Sequence, residues 1–206
     1  MDVLNQFSDK FKTSRHIVQL FIFVMVMITS ASVAQTESEI KAIKSELAEI
    51  RKRDQKTRTN GDSLEYIAYI DSCNLAQVER LIAKYGWMGK SVIGEAANIT
   101  LWVVIQHAEL ETQEKYYPLL KKSVEEGESN PQDLALLHDR ILMRQGKKQL
   151  YGSQVVFNKS TGDPEFYPIE DEKNVNIRRK EVQLEPIEKY AEYFGIKYKL
   201  PDNTGE

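Results

Sequence analysis

The chain has a single cysteine, Cys73, so no internal disulfide can form and the fold rests on packing in whatever compartment it occupies. A nucleophilic thiol needs a cationic or basic neighbour. Asp71-Ser72-Cys73-Asn74 offers none, so Cys73 reads as a small core or boundary residue. Histidine is almost as scarce, with three in all. A zinc site would therefore need carboxylates as most of its ligands, and neither a metal nor a cofactor is expected. Positive charge is not in excess either, since 28 Lys and Arg face 31 Asp and Glu for a net charge of -3. Without a general positive field, nucleic acid is not an expected partner. The basic run Arg51-Lys52-Arg53, with Lys56 and Arg58, is interleaved with Glu46, Glu49 and Asp54 and reads as a solvated helix face. Phosphate loops, dinucleotide fingerprints, Gly-x-Ser-x-Gly elbows and His-Glu-x-x-His pairs are all missing. The longest apolar stretch, Ile17 to Ile28, contains Gln19 and falls short of the roughly 20 residues that cross a bilayer.

That stretch nevertheless carries information. Lys10, Lys12 and Arg15 precede it, and Ser32-Val33-Ala34 follows with the small residues a signal peptidase reads. Residues 1–34 are thus predicted to be a signal peptide, and the protein to be exported to the periplasm or beyond, with no stable membrane span after cleavage. The alternative is an uncleaved signal serving as membrane anchor. No cysteine stands at the cleavage point, so lipid attachment there has no support. At 206 residues and 41% hydrophobic composition, the remainder suffices for one core and one domain with appendages.

Thr36-Glu37-Ser38-Glu39 has the spacing of a capping box. Behind it Ile40, Ile43, Leu47 and Ile50 form a seam of two heptads. Such a seam is too short to be stable alone, so it either docks on the body or supports weak self-association through residues 35–61. Asn60-Gly61 then signals a turn, which places the body at 62–198 and a loose tail at 199–206. Helical periodicity predicts short helices around Leu64–Ile70 and Leu75–Ile82, then a loop from Trp87 to Gly94. Further helices follow at Glu95–His107, Thr112–Glu126 and Pro131 to Gly146. A β-hairpin fits residues 151–169, and helical pattern resumes at Asn174–Val182 and from Pro186 towards Gly195. The expected fold is mainly α: a single helical domain with a small β-hairpin, preceded by a short amphipathic N-terminal helix.

Three polar groupings interrupt segments patterned for burial: Gln106-His107-Ala108-Glu109, Asp139-Arg140, and Gln149-Leu150-Tyr151-Gly152-Ser153-Gln154. Buried polar groups need partners, because an unsatisfied one costs roughly 1–3 kcal/mol and an unpaired charge more. They are therefore expected to meet one another or a ligand. His107 shares a helix face with Val103 and Val104 and is the natural acid or base, with Asp139 as the group that orients it. Gln106, Arg140, Gln149, Tyr151, Gln154 and one of Arg178 and Arg179 are the candidate ligand-binding residues, the arginines suiting a phosphate or carboxylate. Each has a structural alternative that stays open: a satisfied core histidine, an ion pair closing a helix, and a chain reversal capped by glutamines.

At these same positions the chain resembles a bacterial family whose function is unassigned, the domain-of-unknown-function family 6624. The pattern it shares is Trp102, Gln106-His107-Ala108, Asp139-Arg140, Gly146, Gln149, Tyr151-Gly152-Ser153-Gln154, Arg178-Arg179 and Val182-Gln183-Leu184. Two positions depart from the family: Ser153 stands for Thr and keeps its hydroxyl, and Gln183 stands for Gly, where positive φ is harder to adopt. The resemblance implies a mostly helical fold with a small strand element and brings no activity. The function expected from the residues is an exported protein with a pocket for a small polar or anionic ligand, binding and hydrolysis both being open. The rival is a non-catalytic interaction or structural protein that assembles through its N-terminal helix.

Overall fold

The chain divides into two compact units, residues 1–45 and 46–206. A computed structural model describes residues 36–201. The expected signal peptide and the end of the tail, residues 202–206, lie outside them. Of the first unit only residues 36–45 are described, and they are helical. The account below concerns the second.

Helix α1 spans residues 36–59. Within the second unit its seam residues Leu47 and Ile50 are fully buried, as the docking alternative requires. Helix α2, Leu64–Tyr85, is continuous where the polar stretch Asp71–Asn74 suggested two helices. That stretch holds neither Gly nor Pro, and the oxygen of its one buried polar side chain has a partner on another helix: Asn74 Oδ1 accepts from Nε and Nη2 of Arg53 at 3.3 and 3.1 Å. Ser63 caps the helix through Oγ, which accepts from the Tyr66 amide, and Gly86 ends it at φ +73°. The expected loop after it contains one helical turn, α3, Lys90–Ile93, pinned where the Glu128 carboxylate accepts from the Ser91 amide.

Helix α4, Glu95–His107, occupies the centre and packs against α2, α5 (Leu110–Glu125) and α6 (Pro131–Arg144). A helix with neighbours on several sides must be apolar around most of its circumference. The sequence from Ala96 to Ile105 meets that requirement, and Leu101 and Ile105 are fully buried, as are Val78 on α2, Leu120 on α5 and Leu137 on α6. Pro131 stands at the first position of α6, where its missing N–H costs nothing. Strands β1, Val155–Phe157, and β2, Pro164–Phe166, pair antiparallel with Val155 opposite Phe166. The hairpin is shorter than the expected 151–169 because residues 149–154 are held by side chains, as described below. A 3-10 turn, Glu172–Asn174, leads into α7 (Val175–Glu181) and α8 (Ile187–Glu192). Ile169, Val175 and Ile187 form a second cluster on which Phe166, Tyr198 and Leu200 pack. The described residues are mainly α-helical with one two-stranded hairpin, and none of their helices is long and apolar enough to cross a membrane.

Candidate functional site

His107 is the last residue of α4, where the buried run of Val104, Ile105 and Gln106 meets the surface, and its side chain is 19% exposed. Its Nδ1 lies 2.9 Å from Oδ1 of Asp54 on α1, a carboxylate only 4% exposed. Arg58, one turn further along α1, brings Nη2 to 3.2 Å from that same oxygen, to 2.7 Å from Asp71 Oδ1 on α2, and to 2.6 Å from His107 Nδ1. Three helices thus deliver two carboxylates, one imidazole and one guanidinium to a single point. Burial alone would push the Asp54 carboxyl up, but the hydrogen bond and charge of His107, and then the Arg58 guanidinium, hold it below the ordinary value. Ligand-capable atoms of Asp54, Asp71 and His107 all lie within 4.8 Å of one another, a donor set suited to a divalent cation. The Arg58 nitrogen stands among them and supplies positive charge there.

The remaining expected residues form a different structure, a clasp around the Tyr151-Gly152-Ser153-Gln154 loop. Asp139, fully buried on α6, accepts from the amides of Leu150 at 2.7 Å, Tyr151 at 3.1 Å and Ser153 at 3.0 Å. The loop carbonyls point the other way. Leu150 O receives Arg178 Nε, and Tyr151 O receives Arg179 Nη1, each at 2.7 Å. Arg179 is the inward arginine at 1% exposure, stacked over the Tyr190 ring at 4.9 Å, whereas Arg178 stays partly exposed. An anion therefore holds the loop's N–H groups and two cations its carbonyls. Gln149, fully buried, closes the inside: its Oε1 accepts from the Gln154 amide and its Nε2 donates to the carbonyls of Gln154 and Tyr167. Gly152 has φ +67°, and a Cβ there would come within 2.4 Å of Ile187 Cδ1. Ser153 keeps a use for the hydroxyl it shares with Thr, accepting from Gln154 Nε2 at 2.9 Å.

Arg140 joins the two arrangements. Its Nη1 donates to the Gln106 carbonyl at 3.2 Å and its Nε to Gln154 Oε1 at 3.1 Å, while Arg144 Nη1 donates to the Ala108 carbonyl at 2.5 Å. The carbonyls of both residues flanking His107 thus accept from guanidinium groups. The three expected segments do converge, but the side chains of Asp139, Gln149 and Gln154 are buried and engaged with the backbone. The carboxylate beside the imidazole is Asp54, while Asp139 serves the loop. Asp54, Arg58 and Asp71 were missed from sequence because they sat in a stretch read as solvated or as a helix break. Continuing the seam Leu47, Ile50 by four and then three residues gives Asp54 and Thr57, both buried, and a carboxylate at such a position was the available signal.

Residues 29–201 match the family model described as "Family of unknown function (DUF6624)". The chain belongs to this family. No curated protein and no solved structure matches it. The shared pattern of this DUF6624 member maps onto the clasp and onto α4's end, and its Gln183, replacing Gly, adopts φ +59°. There the chain leaves α7 with the Leu184 amide donating to the Arg179 carbonyl at 2.8 Å, a helix stop that ordinarily calls for glycine.

Proposed function

We propose that this DUF6624 protein is exported and binds a small polar or anionic ligand beside His107, hydrolysing it with His107 as base and Asp54 as the residue that orients the imidazole. The observation that carries the reading is the 2.9 Å contact between His107 Nδ1 and the buried Asp54 carboxylate, at an imidazole that still reaches solvent. When Asp54 accepts from Nδ1, the ring is fixed and the lone pair lies at Nε2, the nitrogen that takes a proton from water. His107 Nε2 takes part in no hydrogen bond among the described residues. Arg58 supplies the positive charge for an anionic group or for charge developing on an attacked carbonyl or phosphoryl oxygen. Asp139, Gln149, Gln154 and Arg179 support the site from behind through Arg140, which fixes the Gln106 carbonyl.

A thermal-shift screen of small carboxylates and phosphate esters, followed by turnover of chromogenic esters, tests this. Stabilisation of the wild-type protein by an anion, lost in His107→Asn, is the expected result. A flat screen with no turnover would remove the reading. The rival, assembly through residues 35–61, has less to draw on, because Leu47 and Ile50 are fully buried within the chain.

A further inference from the structure

Hydrogen counting at His107 Nδ1 leads one step further. This nitrogen faces a carboxylate oxygen, Asp54 Oδ1, at 2.9 Å and an obligate donor, Arg58 Nη2, at 2.6 Å. A neutral imidazole has either a proton or a lone pair at Nδ1. With the proton there, the bond to Asp54 is made and the guanidinium N–H is driven against an N–H. With the lone pair there, Arg58 is accepted and two electron pairs face each other across the contact with Asp54. Arginine cannot relieve this by losing a proton. Either tautomer leaves one close contact repulsive, so the position of Arg58 and the tautomer of His107 are tied together.

Arg58 is the member of the group able to move. Its side chain is 32% exposed and that of Asp71 is 23% exposed, whereas Asp54 is held at 4%. An ion pair that open to water is worth about 0–1 kcal/mol, so a ligand anion can compete for the guanidinium. We infer that Arg58 is the positioning and ligand-sensing residue of this site: an oxyanion that draws its guanidinium away from Nδ1 lets His107 donate from Nδ1 to Asp54 and leaves the lone pair at Nε2. The inference rests on the ligand reading above and narrows the ligand to a carboxylate or phosphate able to take the planar guanidinium fork. It also gives the site an order of events. Without the anion, Nδ1 accepts from Arg58 and Nε2 carries the proton, so the imidazole cannot act as base there. With the anion bound, no proton is gained or lost overall, and the imidazole proton resides on Nδ1.

The tautomer is read directly by two-bond 15N–1H correlation spectra of the full chain, at a pH where the imidazole is neutral, with His107→Asn identifying the His107 signals. The wild-type protein should show the Nε2–H form as the major species. Arg58→Met, and Arg58→Gln as a second variant in case the first does not fold, should reverse the ratio to Nδ1–H. Saturating inorganic phosphate or acetate should do the same in the wild type, and whichever acts at lower concentration identifies the preferred oxyanion. A His107 tautomer identical in the wild type and both variants would overturn the inference while leaving the ligand reading to its own thermal screen. A tautomer that responds to the variants but to neither anion overturns the sensing role.

Discussion

Asp139 accepts the backbone N–H of Ser153 at 3.0 Å while fully buried, and the same carboxylate takes the amides of Leu150 and Tyr151. Asp139→Asn would substitute an N–H₂ for one of the accepting oxygens and remove the charge that Arg178 and Arg179 balance through the loop. A loss of about 3–5 kcal/mol is expected by denaturant unfolding. His107→Asn, at a partly exposed position, should cost roughly 1 kcal/mol. Equal losses in the two variants would place His107 in the scaffold with Asp139.

Gln183 holds φ +59° at the end of α7, a conformation that costs a residue with a Cβ on the order of 1 kcal/mol. Gln183→Gly should therefore raise stability by about 1 kcal/mol, less whatever the contact between its carbonyl and Gln132 Nε2 loses to greater chain freedom. Thermal unfolding checks the sign. A lower melting temperature for the variant would refute the strain argument.

Two carboxylates set opposite trends with pH. Asp133, on α6, is pushed up to about 6, chiefly by burial and further by Glu95, against the Asn130 hydrogen bond and the charge of Arg51. Its raised value means that its favourable contribution is complete below the unfolded value of 3.8 and is lost as pH rises through about 6. Asp133→Asn should thus stabilise the protein at pH 7.5 by on the order of 1–2 kcal/mol, with the gain vanishing near pH 4. Asp54 runs the other way: lowered in the folded state, it contributes above 3.8, and the contribution disappears as pH falls through its depressed value. Unfolding curves from pH 3 to 8 on the wild type and Asp133→Asn separate the two, and a pH-independent difference between the proteins would contradict the Asp133 account.

Removing Arg58 should change what the site binds. Arg58→Ala leaves Asp54, Asp71 and His107 converging with no cation among them, a set of oxygen and nitrogen donors that suits Zn²⁺. The variant is expected to bind Zn²⁺ by titration calorimetry at least tenfold more tightly than the wild type, a difference of about 1.4 kcal/mol. Combining it with His107→Asn should abolish the gain. Indistinguishable affinities in Arg58→Ala and the wild type would mean that the guanidinium does not hold that place.

Much of the architecture was legible because apolar spacing survives translation into packing. Helix α4 was readable, since its apolar run leads into the first polar pair, and Pro131 marked the start of α6. Continuity of α2 was not legible, because the partner of the Asn74 oxygen is Arg53 from another helix, and local pattern cannot supply a tertiary partner. The clustering of the polar segments followed from the cost of burying them singly, and it holds through Arg140. Which carboxylate meets His107 depended on the docking of α1, a helix whose surface pattern is dominated by charge. Asp54 was hidden among the basic residues around it, although the heptad spacing from Leu47 already pointed inward.

The clasp also bears on how the chain matures. Its acidic element leaves the ribosome about forty residues before the guanidinium that completes it, and the hydrophobic stop against Gly152 comes later still, from Ile187. Until that distal segment is synthesised, the loop has nothing to close upon. Nascent chains cut short upstream of α8 would expose this half-built region to proteases, so the whole domain reaches its final state only once α8 has been made.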